Sequence, residues 1–189
     1  MEFSAALKNE ILRPLGTILI PAAVAIGPAA GFLLHKHPEF LKYYKENTTA
    51  VNMVIIPALF VVGMYLENIG SRLEDRFYHK IKSTQSAKAW LAYLLSDPHS
   101  HPVALGYIAS LVARMKFELS MIPAICLGSS LGLWAAVSQK NIALFSLGFW
   151  VWIAFSLGLL YYTFCEARTS VTVLDTQRRD LFCDEKSPT

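Results

Sequence analysis

Along this chain, long stretches without charge alternate with short stretches crowded with it. Four runs carry no Asp, Glu, Lys or Arg: Pro14–Leu34 with 21 residues, Thr48–Leu66 with 19, Leu119–Gln139 with 21 and Asn141–Cys165 with 25. A helix needs about 20 apolar residues to cross roughly 30 Å of hydrocarbon. Each run meets that length, so the pattern predicts four transmembrane helices.

The polar positions between the runs predict further helix. "YLENIGSRLEDRFYH" (65–79) extends the second run. A helix continuing through residue 82 would be about 52 Å long, some 20 Å more than a membrane needs. On such a helix Glu67, Ser71, Glu74 and Tyr78 share one face. Arg72, Arg76 and Lys80 take the opposite face, and Gly70, Leu73, Phe77 and Ile81 form an apolar flank. "SAKAWLAYLL" (86–95) reads as a short amphipathic helix and "SDPHSHP" (96–102) as a proline-broken turn. Residues 103–119 form a second helix, with Leu105, Ile108, Leu111, Val112 and Met115 at helical spacing, and it leads into the third run. After the fourth run the helix continues, with Val171, Leu174 and Leu181 near one stripe. Asp175 is placed to pair with Arg178 and Arg179. "HKHPEFLKYYKEN" is expected as a short external loop whose Phe40, Tyr43 and Tyr44 suit the headgroup zone. "QKN" closes the last two spans into a tight hairpin.

The expected architecture is all-α: a polytopic membrane protein with four transmembrane helices and helical cytoplasmic extensions. Residues 1–66 hold the first two spans and their external loop, 67–118 a cytoplasmic helical segment, 119–165 a transmembrane hairpin and 166–189 a cytoplasmic tail.

Composition agrees. Of 189 residues, 54% are hydrophobic and 16% charged, against about 25% charged in ordinary soluble domains. Lys and Arg set the orientation. Thirteen fall in the N-terminal flank, residues 67–118 and the tail, against four (Lys36, Lys42, Lys45 and Lys140) on the other side. The positive-inside rule places both termini and the middle segment in the cytoplasm. Lys8 and Arg13 precede a first run too long for a signal peptide, which is read as a retained span. The net charge of +3 follows from this topology, and no nucleic-acid-binding motif accompanies it.

Candidate chemistry is sparse. No Walker A, GxSxG, HExxH, CxxC or GxGxxG segment occurs, so no catalytic role and no cofactor are expected. Cys126, Cys165 and Cys183 have neither disulfide-scaffold nor zinc spacing. His99 and His101 form an H-x-H that Asp97 and His79 could complete as a metal site, but these are read as polar turn residues. The acidic stripe Glu67, Ser71, Glu74 and Tyr78 is the candidate pore mouth or gate, because acidic rings at membrane depth select cations. Arg72, Arg76, Arg114, Lys116 and Glu118 are its candidate charge partners. Pro21 and Pro57 lie mid-span, where a missing backbone hydrogen bond tends to kink a helix. Gly27 with Gly31, and Gly128 with Gly132, are GxxxG pairs that permit close helix approach.

The size, the four-span plan and the cytoplasmic helices resemble the Hailong-type channel effectors, small bacterial membrane proteins of anti-phage abortive-infection systems. The resemblance is one of layout, and no residue role is carried over from it. It implies a homo-oligomeric pore in the bacterial inner membrane, gated through its cytoplasmic helices. The expected partners are the lipid bilayer, further copies of the chain, and a cytoplasmic protein or nucleotide signal. A membrane-embedded metal-dependent enzyme and a non-conducting anchor subunit are the competing readings.

Overall fold

The computed structural model describes residues 2–81, 84–95, 102–138 and 147–183, which form six helices and, among the described residues, no strand. They are α1 (Glu2–Lys36), α2 (Pro38–Glu46), α3 (Thr48–Ile81), α4 (Thr84–Leu95), α5 (Pro102–Ser138) and α6 (Leu147–Cys183). Four are long and apolar enough to cross a membrane, over Leu15–Lys36, Thr48–His79, Gly106–Ala135 and Trp150–Leu181. The "QKN" connection lies outside the described residues.

Helix α5 is the hub. Helices α1, α3 and α6 all pack on it, while α4 packs on α6. Two separate cores result. One joins Ala25, Leu66 and Ala124, from α1, α3 and α5. The other joins Ile108, Met115 and Leu119 of α5 to Ala167, Val171 and Leu174 of α6, with Leu73, Phe77 and Tyr78 of α3 and Tyr93 of α4 against it. The second is the centre of a bundle formed by the extensions that the charge pattern predicts beyond the apolar runs. Val171 and Leu174 of the expected stripe are fully buried in it, whereas Leu181 is exposed.

Close backbone approach sets the first core. A β-carbon added at Gly63 would overlap the Ile18 carbonyl oxygen, and one at Gly128 that of Val24. At Gly132 it would lie 3.0 Å from Pro28 Cβ. Gly128 and Gly132 therefore join α5 to α1 within the chain. A β-carbon added at Gly27 or Gly31 would meet nothing within 4 Å among the described residues, so the first GxxxG pair makes no such close approach there. Pro21 is fully buried and Pro57 exposed, and α1 and α3 continue as helix through both.

The connection expected as an external loop is instead helix α2. Pro38 occupies its first turn, where a missing N–H costs nothing, and Glu39 follows at the positive end of the helix dipole. A backbone hydrogen bond at that end, then His37 Nδ1 at 3.0 Å, hold the Glu39 carboxyl below the usual carboxylate range. Its aromatic residues Phe40 and Tyr43 are exposed.

Candidate functional site

The charges that end the apolar runs form one layer. Lys116 Nζ lies 3.6 Å from Glu67 Oε1, joining α5 to α3. Arg114 Nε donates to Glu118 Oε1 at 2.8 Å, and its Nη2 donates to Glu166 Oε2 at 3.0 Å across to α6. The second Glu118 oxygen accepts from Ser170 Oγ at 2.5 Å. The Glu118 side chain is only 11% exposed, against 59% for Arg114. Glu118 is thus held between two helices by two groups, Arg114 and Ser170, as a nearly buried carboxylate requires. Sequence reasoning named every member except Glu166 and Ser170. Glu166 is the first charge after the fourth run, just as Glu67 is the first after the second.

Arg114 was expected at the depth of Glu67 and Glu74 as their natural partner. It pairs with Glu118, one turn further along its own helix, and with Glu166. The i,i+4 geometry keeps Arg114 on its own helix face, and Lys116, two residues on, is the one that turns toward α3.

Further from the uncharged runs, α3, α4 and α6 line a half-open cavity of about 380 Å³. Helix α3 contributes Glu74, Asp75, Tyr78 and His79; α4 contributes Ser86, Ala87 and Trp90; α6 contributes Asp175 and Arg178. Asp175 is buried, accepts from Ser86 Oγ at 3.2 Å and is paired with Arg179. Arg178 was expected to share Asp175 with Arg179. Instead its guanidinium lies over Trp90, 4.1 Å from the ring centroid, and 5.3 Å from that of Tyr93. Its Nη1 donates to the Tyr78 hydroxyl at 2.9 Å. Three helices thus converge on one buried cation, an arrangement no local spacing reveals. A Trp in a short amphipathic helix and a second Arg beside an i,i+4 pair were its only traces in the sequence.

Of the candidate pore-mouth residues, Glu67 is paired and partly exposed, Ser71 is half-buried, and Glu74 and Tyr78 face the cavity within the chain. Arg72 and Arg76 are exposed on the opposite side of α3, as the helical spacing predicts. Asp97, His99 and His101 lie outside the described residues, as does the side chain of Lys80. Among the described residues, no three His, Cys, Asp or Glu side chains gather so as to hold a metal ion.

Comparison with protein-family models, curated proteins and solved structures finds no match to this chain. Its site can be read only from its own geometry.

Proposed function

We propose that the chain is a subunit of a homo-oligomeric ion channel or pore-forming effector of the bacterial inner membrane, with both termini in the cytoplasm. The cytoplasmic bundle is its signal-receiving half. One observation carries this reading: α3, α5 and α6 run without interruption from the bundle core into the apolar spans. At 34 to 37 residues they are about 51–56 Å long. A shift of α3 against α6 at the cavity is therefore transmitted to the spans as a rigid displacement.

The packing favours a path between copies over one through a single copy. Ala25, Leu66 and Ala124 fill the centre of the α1–α3–α5 contact. The apolar windows of α3 and α6 are each only 11% buried, against 33% for α5, so those two helices have surface left for lipid or for neighbouring copies. In this reading Glu67, with its 3.6 Å contact to Lys116 and partial exposure, is the acid at the end of the second run that acts on passing cations. The resemblance in layout to Hailong-type effectors supports a setting in anti-phage defence, with expression depolarising the cell once the signal arrives.

The test is ion flux from liposomes containing purified protein, together with native mass measurement of the assembly. A closed oligomer whose ion preference or conductance changes in Glu67→Gln, with the assembly intact, supports the channel. A monomer that is ion-tight in every condition, with an inert Glu67→Gln, leaves the anchor-subunit reading in its place.

A further inference from the structure

The α3–α4–α6 cavity holds two opposite charges that face it without touching each other. On α3, Glu74 is half-buried, yet among the described residues it accepts no hydrogen bond and forms no ion pair. Lys116 and Arg178 attract it only at longer range, and Asp75 repels it. On α6, Arg178 is 96% removed from solvent, being 4% exposed. Its Nη1 is used by Tyr78, while its Nε is buried without an acceptor and its Nη2 donates to no described residue. Buried polar groups are nearly always hydrogen-bonded, and an orphaned one calls for an explanation. Here an unmatched acceptor and an unmatched donor line the same space.

We propose that this cavity binds a small zwitterion of the α-amino-acid class, its ammonium on Glu74 and its carboxylate on Arg178. Charge balance argues for both ends. Asp175 is matched by Arg179, so Glu74 and Asp75 against Arg178 leave one net negative charge on the lining. That disfavours phosphate-rich anions and accepts an ammonium. A bare divalent cation would leave the Arg178 donors unmet, and the described acids do not cluster to ligate one. Arg178 also suits carboxylate, since its permanently charged guanidinium keeps Nη2 to donate. The side chain of the ligand would lie along Trp90 and Ala87, both exposed on α4, an apolar wall that favours a hydrocarbon or aromatic body over a charged one. A cavity of about 380 Å³ has room for such a molecule. By joining α3 to α6 the ligand would fix the two helices that the channel reading requires to shift, so the proposal names the signal for that reading.

The experiment is thermal stability and calorimetric binding on the detergent-solubilised full chain, with the common α-amino acids tried singly. The strongest is then compared with its decarboxylated amine and its deaminated acid. The expected result is saturable binding by one or more apolar amino acids, weakened about tenfold or more when either charged group is deleted from the ligand. Glu74→Gln should weaken binding similarly, and if it fails to fold the amine and acid analogues on the unmodified chain decide. If no amino acid binds, if the amine alone binds as well as its parent, or if folded Glu74→Gln binds as the unmodified chain does, the proposal is overturned. Binding is read without flux. A conducting protein that binds no amino acid refutes this inference alone, and a non-conducting one that binds refutes only the channel.

Discussion

Gly128 of α5 lies against the Val24 carbonyl of α1 so closely that a β-carbon there would overlap the oxygen. Lipid tails are as apolar as Leu, so span association gains little from the hydrophobic effect and depends on close van der Waals contact. That contact exists at Gly63, Gly128 and Gly132 and is missing at Gly27 and Gly31.

Gly128→Ala and Gly63→Ala should therefore each destabilise the chain by about 1–3 kcal/mol, the usual cost of overpacking. Gly27→Ala and Gly31→Ala should cost a single copy nothing, and can raise its stability by up to about 1 kcal/mol, since Ala is the better helix former. Thermal unfolding in detergent compares the four. Equal losses at Gly27 and Gly128 would contradict the packing described here.

Glu118 and Arg114 should differ although they bond to each other. Arg114→Ala leaves the nearly buried Glu118 carboxylate its Ser170 bond but no cation, so it should cost roughly 3 kcal/mol, near the lower end for leaving a buried charge uncompensated. Glu118→Ala removes that carboxylate and leaves Arg114, 59% exposed, paired with Glu166, so its ionic cost should stay within about 1 kcal/mol. Denaturation of the two single variants and the double variant gives both numbers and their coupling.

Arg178→Lys should not behave as a conservative change. Lys can neither stack its charge as a plane on Trp90 nor hold the same hydrogen bond to Tyr78. A double-mutant cycle of Arg178→Lys with Trp90→Leu should return a coupling of about 1–2 kcal/mol, as for a desolvated cation on an aromatic face. Zero coupling would mean that the stacking seen at 4.1 Å contributes nothing to stability.

Orientation is checked by thiol labelling in a background with Cys126, Cys165 and Cys183 replaced. Lys45 on α2 and Lys88 on α4 are both exposed, so access depends on the membrane and not on burial. With both termini cytoplasmic, an impermeant reagent added outside intact cells should label Lys45→Cys and spare Lys88→Cys. The reverse pattern would invert every charged segment relative to the bilayer.

The sequence by itself determined the helices. Uncharged runs of 19 to 25 residues have the length of a membrane-crossing helix, which satisfies its own backbone hydrogen bonds, and the 3.6-residue repeat beyond them placed Arg72 and Arg76 opposite Glu74 and Tyr78. Local rules also yielded the Asp175–Arg179 pair, because i,i+4 neighbours meet on any helix. They missed α2: a span-to-span connection of 13 residues reads as a loop until Pro38 and Glu39 are recognised as a helix start. Tertiary structure alone decided the rest. Which GxxxG pair packs depends on the partner helix, so two identical patterns parted, Gly128 and Gly132 packed against α1 while an added β-carbon at Gly27 or Gly31 meets nothing within 4 Å among the described residues. Arg178 left Asp175 for Trp90 and Tyr78, residues 88 and 100 positions away, because their rings and hydroxyl are brought to it by helices whose contacts no spacing within one helix encodes.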